Sequence, residues 1–576
     1  MTDLASYTRQ TYYLPITCAL LLISGAFGVA HSINPKLGYD YAGWIFLFIS
    51  TIFFKKSFLK LCFCQRLAKS KKTNLLSGKD FQKHLKKDQI FLGKGFEWDQ
   101  DACQKLSDVT NSLSMTQSER FHALKPSKPL YAPKSTFGTH TLIFGTTGAG
   151  KTKVCESLAT QLIKQGDCLI FIDPKGDHGL AKSIQRACQR AGREHDFRLF
   201  SPYDPQQSCC LPICATVSTP TEMADLICAL LPQGANSDVF NSFCWEAIYA
   251  LSAGLFILEQ RPTFASLKEL LSLDDLTPFI CEVLTKVLFD TQPSQFGQAK
   301  VMSESAEKPS TKRLNVLTRL VKEKTEYMPE GITNLLKLNN QSEHLKKLIG
   351  SLDPVLSKLC SGTLPVLLES SADRPSADLR NVLTKGLVLY VSVDSRNDPT
   401  ISRAISTLIL TSLSLLAGRK QSALERGEKL PKTSLFVDEA SEASCSGMIT
   451  LLNKSRSAEF NLFIATQTIA DFISALNGQA EATRVLANAN STIVLRSIDS
   501  QTQKYITDAF PDVQILDITQ RHTAGIKANE STSSSNFTYQ TSALFPASSL
   551  GELPPLDGLW IHAGKVWKVK FPLLTD

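Results

Sequence analysis

From Thr141 to Thr152 the chain reads Thr-Leu-Ile-Phe-Gly-Thr-Thr-Gly-Ala-Gly-Lys-Thr. An apolar run (Leu142, Ile143, Phe144) breaks into glycines at 145, 148 and 150, followed at once by Lys151 and Thr152. This is the full G-x-x-x-x-G-K-[ST] spacing of a phosphate-binding loop. No other stretch constrains the fold as strongly, because the pattern demands a strand, a glycine turn and a helix in that order. The backbone N–H groups of Gly145, Thr146, Thr147, Gly148, Ala149 and Gly150 are expected to turn inward around a polyphosphate. The helix that follows aims its positive end at the same anion. Lys151 is expected to reach the β- and γ-phosphates, and the Thr152 hydroxyl to ligate Mg²⁺. The stretch predicts a binder of a nucleoside triphosphate with Mg²⁺.

Such a loop needs carboxylates opposite it. The apolar run Ser434–Val437 ends in Asp438-Glu439. At that place Asp438 is expected to hold Mg²⁺ and Glu439 to activate the attacking water. The next strand, Phe460–Ala465, ends in Thr466-Gln467. Gln467 reads in two ways: a sensor of the γ-phosphate that positions water, or an ordinary polar residue closing a strand. Ser491–Leu495 is a further strand and delivers Arg496. Earlier, Cys168–Ile172 runs into Asp173-Pro174-Lys175-Gly176-Asp177. An acidic residue at a strand's carboxyl end suits the ligand crevice of a doubly wound sheet, although the turn alone is weak evidence.

At 576 residues the chain has room for roughly three to four domains. Hydrophobic residues make up 43% and charged residues 20%, a globular balance. The net charge of +8 is mild, so any nucleic-acid affinity must come from local patches. None of the 15 cysteines forms a C-x-x-C pair, and they read as free thiols in a reducing compartment.

The N-terminal segment has membrane character. Thr11–Pro35 carries no Asp, Glu, Lys or Arg, and Leu14–Ala30 is continuously apolar or small, enough to cross a ~30 Å hydrocarbon core. Tyr41–Phe54 is a second, shorter apolar run, able to span with Lys55 and Lys56 snorkelling. Gly28-Val29-Ala30 also resembles a signal-peptide cleavage site. Cleavage there would export a nucleotide-binding domain away from ATP. Beyond the second run the chain is strongly basic from Lys55 to Lys87. By the positive-inside rule, both termini of a two-span hairpin are then cytoplasmic.

Between Tyr203 and Lys385 strand signals fade and helix signals take over. Thr219-Pro-Thr-Glu222 and Ser266-Leu-Lys-Glu269 have capping-box spacing, and Phe243–Leu258 and Leu345–Leu359 carry apolar residues at helical intervals. An all-α insertion into the α/β domain follows. Leu92–Lys134 reads as polar and helical in part, Ala524–Ser549 as a Ser/Thr-rich flexible loop, and Leu559–His562 with Val566–Phe571 as a β-hairpin. The expected division is residues 1–65 for the membrane hairpin and juxtamembrane segment. Residues 66–202 and 386–576 form the two parts of the nucleotide-binding domain, with 203–385 inserted between them.

The order of these features resembles one family. A two-span hairpin, Gly-Thr-Thr-Gly-Ala-Gly-Lys-Thr, Asp-Pro-Lys-Gly-Asp, a helical insertion, Leu-Phe-Val-Asp-Glu-Ala and Ala-Thr-Gln-Thr follow one another as in the type IV coupling proteins of bacterial conjugation, the TraD/TraG group. The resemblance implies a RecA-like P-loop ATPase domain on an inner-membrane anchor, assembled as a homo-hexamer. It implies a relaxase or relaxosome, single-stranded DNA (double-stranded DNA staying open) and type IV secretion channel subunits as partners. It also implies an arginine finger at Arg456, in Asn453-Lys-Ser-Arg-Ser, reaching a neighbour's ATP site. A helix before Arg456 is expected to end near the sheet's ligand edge, and Arg496 is the rival finger. The catalytic set is then Lys151, Glu439, Gln467 and Arg456. No acidic tail follows Phe571, which turns attention to the insertion as a recruitment surface. Three alternatives share the motor or its pocket: a coupling ATPase for protein effectors, a septal translocase of double-stranded DNA, and a membrane receptor that binds nucleotide without hydrolysing it.

Overall fold

The structure, a computed structural model, describes residues 73–112, 124–231, 238–291, 311–324, 330–339, 352–443, 445–476, 478–524 and 531–575, with a few isolated positions besides. The expected membrane hairpin lies outside the described residues, apart from Ile23, Ser24, Ile45 and residues 48–52, which are helical. The chain forms two compact units. One comprises Met1–Lys83, Phe91–Tyr131 and Ile498–Asp576, the other His84–Ile90 and Ala132–Ser497.

The second unit is an α/β layer. Its strands are β1 (Thr141–Phe144), β2 (Cys168–Asp173), β3 (Phe197–Phe200), β4 (Val388–Ser392), β5 (Thr433–Val437), β6 (Phe460–Thr466) and β7 (Ser491–Val494). They pair in parallel in the order β7-β1-β6-β5-β2-β4-β3. Every residue of β1, β2, β4, β5 and β6 is buried. Strands covered on both faces must be apolar throughout, which is why these read as unbroken runs rather than alternating ones. One face carries an aromatic row in register: Tyr390 opposite Phe171, Phe171 opposite Phe436, Phe436 opposite Phe463. Their ring centroids lie 5.4, 5.4 and 4.3 Å apart, stacked with interplanar angles of 19°, 2° and 4°. Such cross-strand pairs fix the register.

Helices complete the unit: α1 (Lys151–Lys164), α2 (His178–Arg190), α3 (Pro399–Glu425) and α4 (Ser446–Lys454). Between β3 and β4 the described chain is helical, including Pro220–Cys228, Asp238–Ile257 and Thr277–Thr291. Thr219 caps the first of these, accepting from the Glu222 N–H, while the Glu222 carboxylate returns to the Ser218 N–H at 2.7 Å. The capping box near Ser266 lies one turn earlier than expected. Thr263 is the N-cap and Ser266 its reciprocal partner, because the Ser266 hydroxyl is already within reach of the Thr263 N–H at 2.9 Å. Phe240–Ile257 and Pro399–Glu425 are long and apolar enough to cross a membrane by length and composition. In α3 that composition serves the interior: Ile405, Leu408, Ile409, Leu410 and Leu413 are fully buried. Asp398 starts α3 by accepting from the Thr400 and Ile401 N–H groups at 2.9 and 3.0 Å, with Pro399 in the first turn.

His140, at the start of β1, is buried with φ 59° and ψ 152°. A non-glycine residue there costs on the order of 1–3 kcal/mol of backbone strain. Its Nδ1 accepts the Leu462 N–H at 3.2 Å, tying β1 to β6. Burial lowers the imidazole to about 4, the Leu452 backbone opposing this and the Arg456 charge adding to it. Between pH 4 and 6.5 the unfolded chain therefore binds the extra proton. Stability from neutral His140 is complete above pH 6.5 and is lost as pH falls towards 4, by about 3 kcal/mol in all. His140→Asn keeps a local acceptor and should shrink the stability loss between pH 7 and 4 by about that amount in urea titrations. Parallel losses in parent and variant would remove His140 from the acid response.

In the first unit, Lys94–Trp98 pairs antiparallel with Val566–Lys570, Asp557–His562 pairs antiparallel with Lys565–Lys570, and Leu75–Ser77 runs parallel to Leu573–Thr575. Trp98, Phe121 and Phe545 cluster with centroids 5.0–5.8 Å apart. The Trp98 indole N–H donates to the Leu544 carbonyl at 2.8 Å. The Ser/Thr-rich stretch is not the expected loop. Asp512–Ala524 and Ser531–Ala543 pair as a long antiparallel hairpin, Asp512 opposite Ala543 through Ala524 opposite Ser531. A backbone ladder does not require apolar side chains, and threonine and the aromatic residues Phe537 and Tyr539 favour the extended chain.

Candidate active site

Apart from Arg456, the residues singled out in the sequence lie in the second unit at the carboxyl edge of β1, β2, β5, β6 and β7. The phosphate loop connects β1 to α1 with Gly148 at φ 76° and Gly150 at φ 105°, both left-handed. Gly145 has a different reason for being glycine: a Cβ there would meet the Leu495 Cβ at 3.0 Å. The loop is anchored from both neighbouring strands. The Gly145 N–H donates to the Thr466 carbonyl at 3.3 Å, and the Thr146 N–H and hydroxyl donate to the Arg496 carbonyl at 2.8 and 3.2 Å. Lys151 is buried, and its Nζ donates to the Gly145 carbonyl at 2.5 Å. Burial lowers its ammonium from the ordinary range, with Glu439 the largest opposing influence.

Opposite the loop, Asp438 and Glu439 close β5. The Thr152 hydroxyl donates to Asp438 Oδ2 at 2.8 Å. Asp438 is 1% exposed, and its Oδ1 is buried with no hydrogen-bond partner among the described residues. Burial raises this carboxyl, with Lys175 and Thr152 opposing. A buried carboxylate oxygen left open beside a threonine hydroxyl suits a hard cation such as Mg²⁺, which takes oxygen ligands and needs few from the protein. Glu439 has φ 68°, a left-handed backbone for a non-glycine residue, and it is 6% exposed. Its Oε1 accepts from Gln467 Nε2 at 3.0 Å. The Thr147 hydroxyl donates to Gln467 Oε1 at 3.2 Å, so Gln467 bridges the phosphate loop and Glu439.

The remaining carboxylate oxygen of Glu439 meets a residue the sequence reading passed over. Lys175 Nζ lies 2.7 Å from Glu439 Oε2 and 4.0 Å from Asp438 Oδ2. Burial works to lower this ammonium, but the charges of Asp438 and Glu439 outweigh it and hold it above its ordinary range. A lysine inside an Asp-Pro-x-Gly-Asp turn at a strand's carboxyl end was the available signal. Asp173 is spent on building that turn. Its oxygens accept the Lys175 N–H at 2.9 Å, the Asp177 N–H at 2.6 Å and the Tyr390 hydroxyl at 2.7 Å.

The two arginines part company. Arg496 follows β7 at the loop, half-buried, with Nε unpartnered among the described residues. Arg456 is exposed in the turn between α4 and β6. Its expected position at the ligand edge is corrected. Because β5 and β6 are parallel, α4 must run back across the sheet, and its carboxyl end arrives where β6 begins, opposite Thr433. Arg456 therefore sits at the strands' amino edge, within electrostatic reach of His140.

Two family models match the sequence: the TraM recognition site of TraD and TraG over residues 432–555, and the central domain of the helicase HerA over residues 129–356. The type 4 coupling protein DotL of Legionella pneumophila is 36% identical over 77 residues, which is 13% of this chain and 10% of DotL. The chain is similar to the type IV coupling proteins. Solved coupling-protein structures share the fold. The plasmid coupling protein TrwB in complex with the ATP analogue ADPNP aligns at a TM-score of 0.51 and 16% identity, over 87% of this chain and 93% of that one. TrwB with ADP and Mg²⁺ aligns at 0.50 and 15%, over 87% and 94%. The HerA model ends within the helical stretch between β3 and β4, and the TraM recognition model begins at β5, just before Asp438. The strand order, with β6 between β1 and β5, is that of a RecA-like nucleotide-binding core and places Gln467 between the phosphate loop and Glu439.

Proposed function

We propose that this chain is a type IV coupling protein, a membrane-anchored, ATP-driven motor that delivers relaxase-bound single-stranded DNA to a type IV secretion channel. One observation carries the ATPase part of this reading, and the similarity to coupling proteins supports the rest. Lys151, Thr152, Asp438, Glu439 and Gln467, drawn from three strands, converge on one crevice through the contacts of Thr152 with Asp438 and of Gln467 with Thr147 and Glu439. That is the equipment for hydrolysing a nucleoside triphosphate: a loop for the phosphates, a carboxylate for the metal, a second carboxylate for water. TrwB in complex with ADPNP, and with ADP and Mg²⁺, supports assigning ATP and Mg²⁺ here.

In this reading Thr152 and Asp438 hold Mg²⁺, which supplies positive charge to the phosphate oxygens. Lys151 leaves the Gly145 carbonyl for the β- and γ-phosphates. Glu439 accepts the proton of the attacking water, and Gln467 reports γ-phosphate arrival from the loop to Glu439. The working form is a homo-hexamer in the bacterial inner membrane, anchored by two spans with both termini cytoplasmic. Its partners are relaxosome proteins and channel subunits. No base-reading motif stands in the sequence, so DNA contacts are to the backbone and weaken steeply with salt.

Detergent-solubilised full-length protein tests this. Phosphate release should rise on adding single-stranded DNA, and the stimulation should fade between 50 and 200 mM salt. Stimulation by a relaxase protein but by no DNA would transfer the reading to a protein-dedicated coupling ATPase.

A further inference from the structure

Glu439 is the carboxylate assigned above to activate water, and each of its oxygens has a partner. Gln467 Nε2 donates to Oε1 at 3.0 Å, and Lys175 Nζ lies 2.7 Å from Oε2. A carboxylate so placed has a partner at each oxygen, and the ammonium beside Oε2 competes with water for that oxygen. The two partners differ in how they are held. Gln467 is tied to the phosphate loop through Thr147. Lys175 stands on a rigid turn with a side chain 42% exposed and able to swing. Asp173 fixes the turn's backbone, the Arg396 guanidinium donates to the Lys175 carbonyl at 2.9 Å, and a Cβ at Gly176 would meet the Asp394 Cβ at 2.9 Å. Lys151, by contrast, is occupied by its own loop carbonyl. Lys175 is thus a cation beside Glu439 that an incoming γ-phosphate can recruit without rearranging the loop.

We propose that Lys175 is a latch on Glu439: without nucleotide its ammonium holds the carboxylate, and a γ-phosphate draws the ammonium away and frees the carboxylate for water. This rests on the ATPase reading above. Lys175 is a positioning residue for Glu439, and its exchange of partners makes release of the base depend on ATP rather than ADP. The exchange is one charge-assisted contact for another, so Glu439 and the γ-phosphate compete for a single ammonium. The competition has a thermodynamic signature that a merely structural ion pair lacks.

Equilibrium binding of ADPNP and ADP to the full-length chain reads it. Lys175→Met should weaken ADPNP about ten-fold and leave ADP within about two-fold, the unchanged ADP affinity showing that the site is folded. Glu439→Gln should tighten ADPNP by about ten-fold, because the ammonium no longer has a carboxylate to leave. In the Lys175→Met background the same Glu439→Gln change should have no further effect on ADPNP. Lys175→Arg should restore the preference for ADPNP. Equal losses for ADP and ADPNP in Lys175→Met, or additive effects in the double variant, overturn the latch while leaving nucleotide binding intact. A parent chain that binds neither nucleotide overturns the ATPase reading and the latch with it.

Discussion

Glu439→Gln protein is expected to keep its nucleotide and hydrolyse it about 10²–10⁴-fold more slowly than the parent, the range a positioned general base contributes. The amide preserves the size of the side chain and an acceptor oxygen for Gln467, but it has no basic lone pair for a water proton. Lys151→Ala is expected to behave differently. It removes a point charge from the phosphates themselves, so binding falls together with turnover. Measured side by side, nucleotide affinity and single-turnover rate separate the two roles. If both variants lose affinity equally, the assignment of Glu439 to water activation is wrong.

This division was largely readable in advance. The phosphate loop is a local device, with eight residues supplying turn, charge and hydroxyl, so its chemistry follows from spacing alone. Asp438-Glu439 needed only the loop as context. What the chain order hid is lateral. Lys175 reaches Glu439 because β2 lies beside β5, Ile172 opposite Val437, although 264 positions separate the two residues in sequence. Neither strand states that neighbour. The hairpin at Ser531–Ala543 was missed for another reason: its stabilisation is backbone pairing, and serine-rich composition imitates a loop. Phe197–Phe200 is only four residues long, Phe-Arg-Leu-Phe, too short a run to show a pattern. Arg456 stands away from the ligand edge for a topological reason. A helix joining two parallel neighbours must end at the edge where the second strand starts.

That correction sharpens the second prediction. Placed at the amino edge, Arg456 is remote from its own phosphate loop, so any catalytic role for it must be on a neighbouring subunit. Its guanidinium is exposed, always charged and shaped to meet phosphate oxygens bidentately. We expect Arg456→Ala to lower turnover on the order of 10³-fold or more, the range that arginine fingers supply in other nucleotide hydrolases. Nucleotide affinity should change far less. Mixing distinguishes a trans finger from a structural arginine. Arg456→Ala supplies intact phosphate loops, and Lys151→Ala supplies intact arginines. Rings containing both should recover hydrolysis at interfaces where the two meet. Confirmed subunit exchange without recovery would end the trans assignment. Arg496, whose carbonyl anchors Thr146, would then be the arginine to test, within its own subunit.

The central claim is that the crevice drives movement of a DNA strand, and displacement of streptavidin from end-biotinylated single-stranded oligonucleotides measures it directly. Full-length protein in lipid, supplied with ATP and Mg²⁺, should displace streptavidin from one end well above the spontaneous rate. Glu439→Gln protein bound to the same strand should not. Rapid, DNA-stimulated ATP hydrolysis with streptavidin left in place at both ends would contradict the account.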